Sequence, residues 1–170
     1  GEIAKRLEKY GWRREIAGDD DFDKTVKAIV AMYKTGRGLL ISGHAGCGKS
    51  HLMNALRKNM GVSAWSWVYC KEPDDIGMMR DPRTELLDTS VFVDDIGAEE
   101  IQKEYGNTID AVGDFIQRYY YRGRGRFLAT TNLDGNGLNS IYGLRVVDRL
   151  SEMCVILNLK GKSKRERIVF

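Results

Sequence analysis

The chain has 170 residues, 42% of them apolar and 30% charged, and no apolar run approaches the roughly 18 residues of a membrane span. One globular domain fits, and disorder and membrane insertion do not. The 27 basic and 24 acidic residues leave a net charge of +3, too weak to imply a nucleic-acid partner by itself, and Cys47, Cys70 and Cys154 are too widely spaced for a paired metal motif. The charged start, Gly1 to Tyr10, lacks the apolar centre of a secretion signal, so reduced thiols and a cytoplasmic location are expected.

Ile3, Leu7 and Tyr10 fall at helical spacing, as do Val26, Ile29, Val30 and Tyr33 after the acidic run Asp19 to Asp21. Helices within residues 1–35 are therefore expected to pack on a core spanning 36–170. Gly36 is suited to end the second helix. Gly38 to Ser42 reads as a short strand buried on both faces, and Lys49 to Met60 as a helix stopped by Gly61. Ala64 to Tyr69 reads as a second strand. Glu72 to Pro82 holds both prolines and reads as a loop with short helical turns at most. Ser90 to Asp94 is a third strand, and Thr108 to Tyr121 a helix with Ile109, Val112, Ile116 and Tyr120 on its apolar face. Arg126 to Thr131 and Met153 to Leu159 complete five strands, separated by a glycine-rich stretch with a short helix at Leu138 to Leu150. Strands alternating with helices predict an α/β fold with a largely parallel sheet covered on both faces.

The 19 glycines exceed the usual share of about 7%, and many of them cluster, which points to functional loops. Gly43-His44-Ala45-Gly46-Cys47-Gly48-Lys49-Ser50 fits G-x-x-x-x-G-K-[ST] in full and lies between a predicted strand and a predicted helix. Glycines at Gly43, Gly46 and Gly48 let backbone N–H groups turn toward phosphate oxygens, and the helix N-terminus adds fixed positive potential. Lys49 is expected to neutralise the β- and γ-phosphates of ATP or ADP, and the Ser50 hydroxyl to bind Mg²⁺. His51 and Cys47 are counted with the nucleotide-binding stretch. The side chains of His44 and Cys47, at variable positions of the motif, are read as incidental.

Val91-Phe92-Val93-Asp94-Asp95 is an apolar strand ending in two carboxylates. Beside a phosphate loop, Asp94 is expected to hold Mg²⁺ and Asp95 to orient or deprotonate the attacking water, with Glu99 and Glu100 as rivals for that role. A third strand finishes in Thr130-Thr131-Asn132. Asn132 would reach water or the γ-phosphate if this strand lies between the other two.

These segments, with Val93 to Glu99, Ile116 to Tyr119, Thr130 to Leu133, Tyr142 to Leu150 and Gly161-Lys162-Ser163-Lys164-Arg165, resemble the AAA+ ATPases, specifically DnaC-like helicase loaders and IstB-type transposition ATPases. The resemblance covers residues 36 to 165. It implies a P-loop NTPase core with a five-stranded parallel sheet of order 5-1-4-3-2 and Asn132 as a sensor between the phosphate loop and Asp94. It also implies that Arg149, or failing it Arg145, is an arginine finger offered to a neighbouring subunit, so that an isolated subunit hydrolyses ATP slowly. Read from spacing alone, both arginines instead sit on a helix surface and pair with Asp148 or Glu152. The chain is short for a complete loader and carries no stretch long enough for a helical lid, so it is expected to be a core from a longer protein.

Arg118-Tyr119-Tyr120-Tyr121-Arg122-Gly123-Arg124 alternates cations, rings and glycine, a composition that suits single-stranded DNA. Lys162 and Arg165 belong to a second basic patch. The resulting expectation is an ATPase core acting with a replicative helicase on single-stranded DNA. The alternatives are a transposase regulator and a nucleotide-switched adaptor with negligible turnover.

Overall fold

Leu39 and Ile41 face one side of the first strand and Leu40 the other, and all three are buried. Such a strand needs a neighbour on each edge and a layer on each face. In the computed structural model, which describes residues 1–59, 66–99, 102–104 and 107–161, those neighbours come from the rest of the chain. The elements run α1 (Glu2–Lys9), α2 (Arg14–Ala17), α3 (Asp19–Thr35), β1 (Gly38–Ser42), α4 (Lys49–Asn59), β2 (Ser66–Tyr69), α5 (Pro73–Arg80) and α6 (Thr84–Asp88). They continue with β3 (Val91–Ile96), β4 (Gln102–Glu104), β5 (Asn107–Ile109), α7 (Ala111–Arg122), β6 (Phe127–Thr131), α8 (Gly135–Tyr142), α9 (Leu144–Met153) and β7 (Cys154–Asn158).

Five strands form one parallel sheet in the order β2-β3-β6-β1-β7. This is the order expected from the resemblance, since β6 and β7 are its fourth and fifth strands. β4 and β5 form a separate antiparallel pair. One face of the sheet is covered by α1, α3 and α4 through Leu7, Phe22, Ile29, Met32, Leu52 and Leu56. The opposite face is covered by α5, α7, α8 and α9 through Met79, Phe115, Ile116, Leu138 and Leu150.

Several boundaries depart from the sequence reading. The segment expected to be loop contains α5, because Pro73 stands in the first helical turn, where its missing N–H has no intrahelical role, and Ile76 and Met79 pack inward. The helix expected from Thr108 begins at Ala111. Asp110 caps it, its side chain accepting the Gly113 N–H at 2.9 Å, while the backbone of 107–109 forms β5. Tyr119, not Tyr120, carries the core face of α7. The glycine-rich stretch is two helices, α8 capped by Asp134 and α9 entered through Gly143 at φ +85. Gly36 ends α3 in the left-handed region, as expected. The expected stop at Gly61, the first residues of the second strand and the basic tail beyond Gly161 lie outside the described residues. No described helix is long and apolar enough to cross a membrane.

Candidate nucleotide site

Parallel pairing of β1 with β6, and of β6 with β3, brings three strand ends together. Ser42 pairs with Thr131, and the Gly43 N–H donates to the Thr131 carbonyl at 3.2 Å. Gly43 to Gly48 therefore starts beside Asn132, with the acids of β3 one strand further on. This puts Asn132 between the phosphate loop and Asp94.

The loop itself is shaped by its glycines. Gly46 and Gly48 adopt φ +82 and +100, where other residues are strained. A Cβ on Gly43 would lie 2.5 Å from Cys47 Sγ and 2.6 Å from the Leu159 carbonyl oxygen. Lys49, only 7% exposed, donates from Nζ to the carbonyls of Gly43 at 2.6 Å and His44 at 2.9 Å, and approaches Cys47 Sγ at 3.7 Å. The ammonium thus sits inside the curl of the loop. Ser50 and His51 are exposed on the first turn of α4, whose leading amides have no acceptor within the helix. His51 Nε2 lies 2.7 Å from the Gly11 carbonyl, and the buried Trp12 ring packs on Gly48, so the turn between α1 and α2 is fastened to this first turn.

At the end of β3 the ladder to β6 contains a bulge. Val93 pairs with Ala129 and Ile96 with Thr131, so Asp94 and Asp95 together oppose Thr130. Asp95 has φ +60, the left-handed conformation that the extra residue requires. The Thr130 hydroxyl donates to Asp94 Oδ1 and accepts the Asp95 N–H at 2.9 Å. Burial pushes the Asp94 carboxyl above the usual carboxylate range; the Thr130 hydrogen bond opposes this, the Asp95 charge adds to it, and Lys71 opposes it. Lys71 Nζ stands 3.3 Å from Asp95 Oδ2. Glu99 is engaged elsewhere, its two oxygens accepting the Gly97 N–H at 2.9 Å and the Tyr142 hydroxyl. The buried Cys70 thiol beside these acids is pushed well up by burial and by the charges of Glu99, Asp94 and Asp95. Thr130, Lys71 and Tyr142 are the neighbours of these acids that sequence reasoning did not single out.

The arginines are elsewhere. Arg149 lies in the second half of α9, which leads into the Gly38–Cys154 end of the sheet, remote from the phosphate loop. Its guanidinium stacks over Tyr120 at 4.3 Å, donates to the Tyr121 hydroxyl at 2.9 Å and pairs with Glu152 at 3.5 Å. Tyr120 in turn donates to Glu152. Arg145 is exposed near the start of the same helix. Arg118 and Arg122 are exposed on α7 around a shallow depression that Gln117 and Tyr121 also line, and Arg124 pairs weakly with Asp88 at 3.8 Å. Lys162 and Arg165 lie outside the described residues. Among the described residues no histidine, cysteine and carboxylate cluster is arranged to hold a metal without other ligands.

The donor set fits a nucleoside triphosphate with Mg²⁺: a buried ammonium within a glycine curl, orphan helix amides, a hydroxyl and a carboxylate. The family model described as Novel STAND NTPase 3 matches residues 23–169. No curated protein matches the chain. Among solved structures, the crystal structure of the DnaC helicase loader is 19% identical, covers 91% of this chain and 96% of its own, and superposes with a TM-score of 0.59. That of DnaI is 18% identical over 94% of this chain and 100% of its own, at 0.57. The RuvB Holliday junction branch migration motor of Thermotoga maritima is 16% identical over 95% of this chain and 51% of its own, at 0.55. At such identities the shared property is the P-loop NTPase fold.

Proposed function

Because the chain belongs to the Novel STAND NTPase 3 family, we propose that it binds Mg-ATP and hydrolyses it slowly, its nucleotide state governing assembly with other proteins. The observation that carries this reading is the convergence of Lys49, the bulged acids Asp94 and Asp95, and Asn132 on the ends of three adjacent strands. Lys49 and the first-turn amides of α4 would bind phosphate oxygens, and Ser50 and Asp94 would hold Mg²⁺. The metal would supply neutralisation of charge on the phosphate oxygens. Asp95 is the better base for water, since both oxygens of Glu99 are committed to Gly97 and Tyr142. Asn132 would orient that water or the terminal phosphate. Helicase loading is the specific form that the likeness to the DnaC helicase loader supports. The exposed Arg118, Arg122 and Arg124 would be its contacts to single-stranded DNA. Self-association would bring Arg149, or Arg145, to a neighbour's nucleotide.

A nucleotide-switched adaptor with negligible turnover is a second reading. It is favoured by the enclosure of Arg149 between Tyr120, Tyr121 and Glu152 and by the ion pair that holds Asp95 on Lys71. Turnover of Mg-ATP measured against rising protein concentration, with and without helicase and single-stranded DNA, separates the two. Stimulation by concentration or by partner supports the ATPase. A flat, near-zero rate alongside tight nucleotide binding supports the adaptor.

A further inference from the structure

Asp21 stands in the first turn of α3 and is a carboxylate with only 3% of the residue exposed. Its oxygens accept the backbone N–H groups of Lys160 at 3.1 Å and Gly161 at 2.8 Å, and Lys24 Nζ lies 3.2 Å away. The same Lys24 ammonium donates to the Asn158 carbonyl at 2.8 Å. The chain leaving β7 is thereby strapped to α3 from Asn158 to Gly161.

The other side of the strap bears on the phosphate loop. Leu159 N–H donates to the Ser42 carbonyl at 2.8 Å, and its own carbonyl closes on Gly43 so tightly that no side chain fits there. His44 Nε2 lies 3.0 Å from the Lys160 carbonyl. Gly161, at φ +77, passes so close that a Cβ would come within 3.2 Å of the Cys47 backbone. A buried carboxylate is costly unless its charge and lone pairs are satisfied. Here every partner of the Asp21 carboxylate either belongs to the 158–161 segment or also binds it, and that segment lies against the phosphate loop.

We propose that Asp21 is a positioning residue for the phosphate site, acting through the 158–161 strap and His44 to hold the loop in the shape that accepts a phosphate chain. By linkage, phosphate binding tightens the strap in return. The proposal rests on the loop being a nucleotide site. His44, at a variable position of the motif, is then the contact that joins the loop to the strap.

The test compares Mg-ATP affinity in wild type, Asp21→Asn, His44→Ala and the double variant, at a temperature below every melting midpoint. Each single variant is expected to weaken binding about tenfold, and the double variant no more than the larger single loss, because both sever the same chain of contacts. Backbone amide exchange at Lys160 and Gly161 is expected to slow when Mg-ATP is added to wild type and to stay unchanged in His44→Ala. Wild-type affinity in both single variants, or losses that add in the double variant, overturns the proposal. If Asp21→Asn does not fold, the exposed His44→Ala decides through its affinity and its exchange response. A wild-type chain that binds no Mg-ATP overturns the nucleotide reading itself, and the proposal with it.

Discussion

The hydroxyl of Thr130 donates to Asp94 Oδ1 across the β3–β6 pair and, from the other side, accepts the Asp95 N–H at 2.9 Å. One hydroxyl thus sets both acids of the bulge. Replacing it with valine keeps the volume and removes both of these bonds to the bulge. Thr130→Val should lower single-turnover hydrolysis by about 10- to 100-fold, while Mg-ATP affinity changes less. Equal losses in affinity and rate would place Thr130 in nucleotide binding instead.

Asp94 yields a pH prediction with a definite sign. Its pKa is raised in the folded chain, chiefly by burial, so the ionised form is disfavoured by folding. Its contribution to stability is full below the ordinary carboxylate value of about 3.9 and is lost as pH rises through the higher folded value. Asp94→Asn should therefore melt higher than wild type at pH 7, with the gap closing as pH falls toward 4. The same variant should lose Mg²⁺-dependent turnover. Melting curves across pH, paired with activity at pH 7, check both halves.

Gly43 tests the close packing of the loop. A methyl group there would meet Cys47 Sγ and the Leu159 carbonyl well inside van der Waals contact. Gly43→Ala should cost about 1–3 kcal/mol of stability and abolish nucleotide binding, read by denaturant unfolding and by titration with Mg-ATP. Unchanged unfolding would mean that the loop and strap are looser than described.

Arg149 separates a surface role from a role in trans. Its cage of Tyr120, Tyr121 and Glu152 lies at the opposite end of the sheet from Lys49, so Arg149→Ala should leave Mg-ATP affinity unchanged. If the residue acts on a neighbour's nucleotide, the variant should also lose any rise of turnover with protein concentration. Retention of that rise would assign the function to Arg145 or to neither.

The parts of this molecule that were legible in sequence are those written in local order. Gly43 to Ser50 carries its geometry within eight residues, and the apolar runs before Gly43, Asp94 and Asn132 announce three strands whose ends bear polar groups. The order of those strands came from resemblance, because nothing local states which strands pair. What stayed hidden depends on distant contacts. Asp21 reads only as one of an acidic run, yet its carboxylate reaches Lys160 and Gly161. The role of Thr130 exists only because a bulge sets two residues of β3 against it. His44 and Cys47 fall at variable motif positions and look incidental until the strap is in place, when one meets Lys160 and the other fills the space beside Gly43. Helix α5 was obscured by Pro73, whose position in the first turn is compatible with a helix but indistinguishable from a loop signal in sequence.

Calorimetric titration of wild type and Lys49→Ala with Mg-ATP decides whether Gly43–Ser50, with Asp94, forms a working Mg-ATP site. Lys49 supplies the buried ammonium within the loop, and its removal takes away the positive charge there while sparing the apolar core. Wild type should show saturable one-to-one binding, and Lys49→Ala should lose binding with its melting midpoint nearly kept. Equal binding by both proteins, or none by folded wild type, would contradict such a site.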